Sequence, residues 1–365
     1  MALSSTPYWT IAESFSLIGI KDIAELAGVS IGSVDRVLHN RGRFSQSTKE
    51  KVEEAIKVLN YRPNLMARQL KLGGSCRIAV LQPYSSQDQG YWFVAEQGLA
   101  LAKQQWSPFG VEIELISYDR NNSESFKEAG QKILSHNFQG VLLAPLLPQE
   151  SLELIQQLPN VPFATFDCPL PGAEVLQSIY QEGYGSGATG AGLFCWHHQP
   201  QDALAVIAFS TPHPYIEQRI EGFVSTLSLS GYSNPEVFYI PDDLNLEQLK
   251  VHLKKQKLQL EKYRGLFIVK TGVYKYAKLL NFNHHQSFIV GFDLTPENIQ
   301  ALKLGEIDII LSQNCSLQLQ LGLNSLADYI LYHRRPECSV VKMPIDIITR
   351  HNVDIYLERH HGIFI

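Results

Sequence analysis

Five residues near the N-terminal end occupy the outward positions of a short predicted helix: Ile31, Gly32, Ser33, Asp35 and Arg36. Side chains on the first turns of such a helix can reach base edges when the helix lies in the major groove of DNA. Arg36 is the best candidate for guanine recognition or for a phosphate contact. Ile31 can touch a thymine methyl group, and Gly32 lets the backbone approach the bases. This spacing therefore favours sequence-specific binding to double-stranded DNA.

Two helices and a tight turn must position these residues, and the stretch Lys21–Asn40 has the pattern of both. Gly28 stands where the chain leaves the first helix, a position that favours a positive φ. Ser30 has the type and the place of an N-cap for the second helix. A third helix over residues 45–60 closes the small core. The apolar residues that can face this core are Ile23, Ala24, Ala27, Val34, Val37 and Leu38.

Charge is distributed unevenly along the chain, which bears on where DNA could bind. Residues 1–77 hold 11 Lys and Arg against 7 Asp and Glu, whereas the remainder holds 20 against 29. A basic head on an acidic body indicates that only the head meets a polyanion. The 365 residues, with 45% hydrophobic and 18% charged side chains, indicate about two or three globular domains.

Targeting signals and cysteine pairs are both missing from the sequence. No apolar run reaches the ~18 residues of a membrane span, and the first 18 residues lack the charged start of a signal peptide. The five cysteines are scattered without a C-x-x-C pair, which argues against a disulfide framework or a zinc site. We therefore expect a cytoplasmic protein without a metal site, a cofactor or a membrane partner.

From Arg77 onward, candidate strands alternate with helical patterns, which predicts parallel sheets covered on both faces. Nearly 290 residues follow this alternating pattern, which is more than a single sheet with its helices usually contains, so we expect two lobes. In open α/β sheets the ligand binds beyond the carboxyl ends of the strands. The candidate strands are Ile78–Leu81, Glu112–Ile116, Gly140–Ala144, Phe163–Phe166, Ala203–Phe209, Glu236–Ile240, Gly265–Val269, Phe288–Gly291 and Ile307–Leu311.

Several motifs stand in a recognisable order in the first 72 residues: Ile23-Ala-Glu-Leu-Ala-Gly-Val-Ser30, Val34-Asp-Arg-Val-Leu38, Leu59-Asn-Tyr-Arg-Pro-Asn64 and Ala67-Arg-Gln-Leu70. With them, residues 20–72 closely resemble the DNA-binding head of lac/galactose-repressor-type regulators, the LacI/GalR family. The remainder resembles that family's effector domain, which has the periplasmic sugar-binding-protein fold. This second resemblance rests on Phe166-Asp167, Arg219-Ile-Glu-Gly-Phe223, Val290-Gly-Phe-Asp293 and Leu311-Ser-Gln313.

The resemblance implies an α/β protein. In it, a small all-α helix-turn-helix head precedes a two-lobed domain whose parallel sheets are flanked by helices. We expect four segments in chain order: an N-terminal extension (1–18), the DNA-binding head (19–62), a hinge helix with its linker (63–76) and an effector-binding domain (77–365). Within the last segment, the first lobe takes about 77–181 and 314–342, and the second takes about 182–313 and 343–365.

The family also implies a homodimer that binds a roughly palindromic operator, because two-fold symmetry in the protein mirrors that of the site. The hinge helix, with Asn64, Ala67 and Arg68, would enter the minor groove, where Leu70 would wedge between base pairs. Asp35 stands where the family usually has a small hydroxyl residue. It either pairs with Arg36 or Arg43 or accepts from a cytosine amino group. The candidate phosphate contacts are Ser30, Ser33, Ser45, Arg41 and Arg43.

Polar and aromatic residues in the strand-to-helix loops of the second domain form a candidate sugar site. Carboxylates accept from sugar hydroxyl groups, a two-pronged Arg donates to them, and aromatic faces cover the apolar side. Singly, an Asp at a strand end can equally be a helix cap, and a Trp can be core. Lys270 stands where relatives usually carry Asn, which hints at an anionic sugar or acid. The candidate effector residues are Gln89, Tyr91, Trp92, Asp167, Arg219, Lys270, Asp293 and Gln313.

We therefore expect a ligand-responsive transcriptional regulator, more readily a repressor released by an inducer than one that needs a corepressor. The alternatives are a solute-binding transport protein and an α/β enzyme carried on a DNA-binding head. The motif Gly185-Ser-Gly-Ala-Thr-Gly190 matches a dinucleotide-binding fingerprint, but no acidic residue ends the strand after it. We interpret it as a glycine-rich helix that packs closely where the chain crosses between lobes.

Overall fold

A computed structural model describes residues 20–38, 44–59, 76–210, 213–242, 244–281 and 287–360. The chain divides after Ser75 into a small helical unit and a larger α/β unit. The DNA contacts expected at Arg41, Arg43, Asn64, Ala67, Arg68 and Leu70 lie outside the described residues.

The helical unit contains α1 (Ile20–Ala27), α2 (Ile31–Leu38) and α3 (Gln46–Val58). Gly28 has the expected positive φ, 65°, at the turn between α1 and α2. The cap of α3 is Ser45, whose hydroxyl accepts from the backbone N–H of Thr48. The buried residues are Ile23, Ala24, Ala27, Val34, Val52 and Ala55, and Val37 packs against them.

Two six-stranded sheets form the centre of the α/β unit. The strands are β1 (Cys76–Pro83), β2 (Val111–Tyr118), β3 (Gly140–Leu143), β4 (Phe163–Asp167), β5 (Gln177–Tyr180), β6 (Leu204–Phe209), β7 (Glu236–Ile240), β8 (Gly265–Ile268), β9 (Phe288–Phe292), β10 (Ile309–Ser312), β11 (Val340–Lys342) and β12 (Asp346–Ile348). The first sheet has the order β11-β5-β4-β3-β1-β2 and is parallel throughout. The second has the order β12-β10-β9-β8-β6-β7, in which only β12 runs antiparallel to its neighbour.

Helices cover both faces of each sheet. They are α4 (Tyr91–Trp106), α5 (Ser123–Ser135), α6 (Pro148–Gln157), α7 (Gly183–His197), α8 (Pro214–Leu229), α9 (Leu246–Lys255), α10 (Val273–Asn281), α11 (Pro296–Leu304), α12 (Cys315–Tyr332) and α13 (Val353–His360). Short 3-10 turns occupy Asp88–Gly90, Ser107–Phe109 and Leu260–Lys262. Along the described residues, no helix combines the length and the apolar character that crossing a bilayer requires.

Burial on both faces explains why the central strands are almost continuously apolar. In β1, Ile78 and Val80 belong to one buried cluster, whereas Ala79 and Leu81 belong to the cluster on the opposite face. Both faces of a parallel sheet are covered by crossover helices, so a central strand needs apolar side chains on both sides. All nine candidate strands are present. The three that the sequence did not predict are β5, which is short and partly polar, and the three-residue edge strands β11 and β12.

The chain crosses between the two sheets three times: after β5, after β10 and between β11 and β12. We call the elements on the first sheet, with α12, the first lobe, and those on the second sheet the second lobe. The glycine-rich motif lies in α7, at the first crossover, and α7 packs tightly on α8. A Cβ added at Gly187 would lie 1.9 Å from the carbonyl oxygen of Arg219, which requires glycine there. The interpretation of the motif as a closely packed helix is confirmed.

Candidate functional site

A cavity of about 630 Å³, partly open to solvent, lies where strands of both sheets end. Both lobes contribute to it, because parallel strands direct their following loops to one edge of each sheet. The lining residues are Asp88, Tyr91, Trp92, Arg120, Leu146, Asp167, Gln181, Phe209, His213, Tyr215, Ile216, Arg219, Lys270, Thr271, Asp293 and Gln313.

Seven of the eight residues expected to bind an effector line this cavity: Tyr91, Trp92, Asp167, Arg219, Lys270, Asp293 and Gln313. Gln89 is the exception, because it does not line the cavity as the sequence predicted. Asp88 and Gln89 both have left-handed backbone conformations, with φ of 51° and 56°. Asp88 lines the cavity, whereas Gln89 lies beside it and donates from Nε2 to the backbone oxygen of Asp242 at 3.1 Å.

Arg219, Gln313 and Asp293 form a hydrogen-bonded chain in the second lobe. Arg219 Nη2 donates to Gln313 Oε1 at 2.9 Å, and Gln313 Nε2 donates to Asp293 Oδ1 at 3.0 Å. The Arg219 guanidinium also lies over the ring of Phe292, 4.0 Å from its centroid, and Nη1 donates to the backbone oxygen of Val269. These contacts fix the planar donor group in one orientation, which suits recognition of oxygen atoms on a ligand.

Asp293 and Asp167 present carboxyl groups from opposite lobes. Burial raises the pKa of Asp293 to about 7, although Arg219 and Gln313 favour the ionised form. Burial likewise raises the pKa of Asp167 to about 6, while a hydrogen bond of 2.5 Å from the Tyr91 hydroxyl opposes the shift. Both carboxyl groups therefore change protonation state close to neutral pH.

Asp88 stands at the centre of an ion-pair network that connects the lobes. Lys270 Nζ lies 2.6 Å from Asp88 Oδ1 and 2.6 Å from Asp242 Oδ1, and Arg120 also pairs with Asp88. Trp92 Nε1 donates to the other Asp88 oxygen at 2.7 Å. Burial opposes ionisation of Asp88, but Lys270 and Arg120 outweigh it, so its pKa lies below the usual value. The charge of Lys270 is thus matched by carboxylates. Lys270 is therefore weaker support for an anionic ligand than its position in the sequence suggested.

A possible metal-binding group also touches the cavity. One ligand atom from each of Asp167, Cys168 and His213 lies within 4.8 Å of the others. Burial, together with the positive charges of Arg120, Arg219 and Lys270, lowers the pKa of His213 to about 4. A positive field that disfavours imidazolium also disfavours a divalent cation at the same place. We therefore interpret these residues as part of the effector cavity.

Several lining residues escaped the sequence reasoning, chief among them Asp88, Arg120, Gln181 and His213. Arg120 follows β2 in the run Tyr118-Asp-Arg-Asn-Asn122, and this run of polar residues at a strand end could have drawn attention to it. Gln181 lies at a crossover whose strand, β5, was not predicted. Nothing in the sequence separated Asp88 from its neighbour Gln89.

Three lining residues carry a buried polar atom for which the described residues offer no hydrogen-bond partner: Gln181 Oε1, His213 Nδ1 and Arg219 Nε. An unsatisfied buried polar atom costs about 1–3 kcal/mol, so such atoms are rare in native proteins and call for an explanation. Their presence around one cavity indicates that the cavity suits a polar ligand.

The helical unit presents the predicted base-reading residues along α2. Ser30 caps the helix, since its hydroxyl accepts from the N–H of Ser33 at 3.1 Å. Ile31 is 49% exposed, so its side chain is accessible to a partner. The Arg36 side chain lies along the helix, where Nε donates to the backbone oxygen of Gly32 at 3.0 Å. Gly32 and Arg36 are exposed, and Ser33 and Asp35 are half-buried on the same helix.

Family comparisons agree with these two units. Residues 19–64 match the family described as bacterial regulatory proteins, lacI family, and residues 78–332 match the periplasmic binding protein domain. The chain belongs to the periplasmic binding protein domain family and carries a DNA-binding domain of the lacI family ahead of that domain.

Comparisons with individual proteins find similar chains among transcriptional regulators and solute-binding proteins. The chain is 26% identical over 249 residues to the HTH-type transcriptional regulator GalR of Escherichia coli K12, covering 64% of this chain and 66% of that protein. The lac repressor bound to ONPG shares the fold with a TM-score of 0.60 and 19% identity, over 91% of this chain and 98% of that one. An ABC transporter solute-binding protein from Burkholderia graminis, in complex with D-arabinose, matches 77% of this chain and 97% of that one, with a TM-score of 0.66 and 18% identity.

Proposed function

We propose that this protein is an operator-binding transcriptional repressor that is released by a sugar or a related neutral polyol. The observation that carries the proposal is the cavity between the lobes, whose lining offers hydrogen-bond donors, acceptors and aromatic faces. The helical unit supplies the DNA-binding function, with α2 as the recognition helix. We further propose a cytoplasmic, non-enzymatic homodimer, whose two-fold symmetry would match a palindromic operator.

A neutral effector is favoured by the charges around the cavity. Three carboxyl groups and three cationic side chains line it, and His213 is neutral at physiological pH. When all three carboxyl groups are ionised, the formal charges of the lining cancel. A phosphate or carboxylate ligand would need surplus positive charge to offset its loss of hydration. Hydroxyl groups can instead donate to Asp167 and Asp293 and accept from Arg219.

Effector binding would act by favouring one arrangement of the lobes. A ligand that contacts both lobes binds the closed cleft better than the open one, so it shifts the population toward closure. Operator affinity changes only if the two arrangements differ in DNA affinity, which is the coupling that the proposal requires. Since the same fold serves solute-binding proteins, DNA binding is the property that separates this proposal from a transport role.

The test measures fluorescence anisotropy of a labelled palindromic promoter fragment titrated with the full chain. We expect binding that weakens with salt, and release by one member of a panel of neutral sugars. Asp293→Ala should keep operator affinity and lose the response to that sugar. Binding that is insensitive to salt and to DNA sequence would contradict the proposal. A full response in Asp293→Ala would remove this residue from the site.

A further inference from the structure

Gln181 connects all three crossovers between the lobes. It lies between β5 and α7, in the first crossover itself. Its Nε2 donates to the backbone oxygen of Ser312, at the second crossover, at 3.1 Å, and to that of Pro344, at the third, at 2.9 Å. The side chain is 2% exposed. One buried amide group thus joins the three segments that connect the lobes.

These two hydrogen bonds fix which way the amide group faces. Both partners are carbonyl oxygens, so only the NH₂ end of the amide can meet them, and a flipped amide would place oxygen against oxygen. The two hydrogens of Nε2 are both used. Oε1 remains as an acceptor, and the described residues offer it no hydrogen-bond donor.

The unused acceptor belongs to a residue that lines the effector cavity. We propose that Gln181 Oε1 accepts a hydrogen bond from a hydroxyl group of the effector. Gln181 is then a specificity-determining contact and also the residue through which a bound effector stabilises all three crossovers. This inference rests on the proposed function, because it requires a polyol in the cavity.

The chemistry of an amide oxygen defines what the ligand must offer. It can only accept, so an ether, a ketone or a deoxygenated carbon at that place leaves it unsatisfied, whereas a hydroxyl group satisfies it. Sites built to bond a substrate hydroxyl discriminate strongly against analogues that lack it, because the buried partner stays unpaired. Gln181 therefore selects for one particular hydroxyl group of the ligand.

The test uses the full chain and a panel of D-arabinose, D-ribose, D-galactose, D-glucose and myo-inositol with their monodeoxy analogues. Sugars that raise the melting temperature are measured by isothermal titration calorimetry. For wild type, we expect one monodeoxy analogue to bind about ten- to hundredfold more weakly than its parent. In Gln181→Met, which is similar in size and apolar, the parent should lose the same factor and bind no better than that analogue.

A control variant and a crystal structure separate this contact from a purely structural role. Gln82→Met is the matched control, since Gln82 is also fully buried and its Oε1 also lacks a partner among the described residues, but it does not line the cavity. We expect it to keep wild-type affinity and discrimination. If Gln181→Met does not fold, a crystal structure of the wild-type protein with the parent sugar tests the same contact, because the selected hydroxyl group should lie within hydrogen-bond distance of Gln181 Oε1.

Equal weakening of the parent and every analogue in Gln181→Met, or no weakening, would overturn the inference and leave the proposed function standing. A crystal structure in which no ligand hydroxyl group lies within hydrogen-bond distance of Gln181 Oε1 would overturn it as well. A panel in which no sugar stabilises the wild-type protein would instead contradict the proposed effector class, and the inference with it.

Discussion

Lys270 of the second lobe and Asp88 of the first lobe form a direct ion pair, with 2.6 Å between Nζ and Oδ1. The same ammonium group pairs with Asp242 of its own lobe at the same distance. The Thr271 hydroxyl adds a second link between the lobes, because it donates to the backbone oxygen of Asp88 at 2.8 Å. Closure of the cleft is thus supported by contacts within the protein as well as by any ligand.

Lys270→Met should destabilise the protein by about 3 kcal/mol, because it removes one of the two cations that pair with the buried Asp88 carboxylate. Small-angle X-ray scattering should show a more open α/β unit, and urea unfolding should give the stability change. Lys303→Met is the matched control: it removes the pair with Asp354, whose side chain is 68% exposed, and should cost less than about 1 kcal/mol. Equal effects of the two substitutions would contradict a role for Lys270 in closure.

Effector affinity should rise with pH between 6 and 8. The pKa of Asp293 is raised to about 7, and the ionised carboxylate is the better acceptor for sugar hydroxyl groups. If binding requires that form, its population and the affinity increase about tenfold over this interval. Calorimetric titrations at pH 6, 7 and 8 measure the effect, and Asp293→Asn should flatten it. A wild-type affinity that does not vary with pH would argue against an ionised Asp293 in the complex.

Stability should change with pH in the opposite direction. A carboxyl group whose pKa is raised on folding binds its proton more tightly in the folded state, so its contribution to stability is lost as pH rises through the folded value. For Asp167 and Asp293 these values are about 6 and about 7. The free energy of unfolding without effector should therefore fall between pH 5 and 8. In the double variant Asp167→Asn/Asp293→Asn, this decline should be smaller.

Gly187→Ala should destabilise the second lobe by about 2–4 kcal/mol, because the added Cβ meets the backbone oxygen of Arg219 at 1.9 Å and must force α7 and α8 apart. Gly192→Ala on the same helix has nothing within 4 Å of its Cβ. It should leave stability unchanged or raise it by about 0.5–1 kcal/mol, since alanine favours helix. Thermal unfolding of both variants checks the contrast. Effector affinity should fall only in Gly187→Ala, because α8 carries Arg219.

Arg36→Ala should weaken operator binding by about 1–3 kcal/mol if the side chain reads a guanine, and Arg36→Lys should then restore little of it. If Arg36 contacts a phosphate, Arg36→Lys should keep most of the affinity and the salt dependence of wild type. Anisotropy titrations at several salt concentrations distinguish the two. An unchanged affinity in Arg36→Ala would remove this residue from the DNA interface.

The sequence predicted the elements of the fold because each central strand is buried on both faces and reads as an apolar run. It did not reveal β11 and β12, whose three residues each are too few to form a pattern. Edge strands of this kind gain their structure from the neighbour that they extend, which is a long-range contact.

The candidate site could be approached from the sequence wherever a polar residue directly follows an apolar strand, as with Asp167 and Asp293. The sequence did not distinguish Gln89 from Asp88, because it is the left-handed backbone at both positions that places Asp88 at the cavity and Gln89 beside it. Gln181 and His213 join the cavity only because crossovers and loops distant in sequence meet there. These long-range contacts exist only in the folded protein, so no local sequence pattern indicates them.

The late position of β11 and β12 has a consequence for how the protein is made. Each sheet takes an edge strand from residues 340–348, and α12 covers the first sheet only after residue 315. A ribosome that has synthesised 300 residues has therefore delivered most strands of both lobes without completing either sheet. Neither sheet is complete until residues 340–348 have been synthesised, so a nascent chain exposes apolar sheet faces up to that point. We expect chaperones to bind it during that interval.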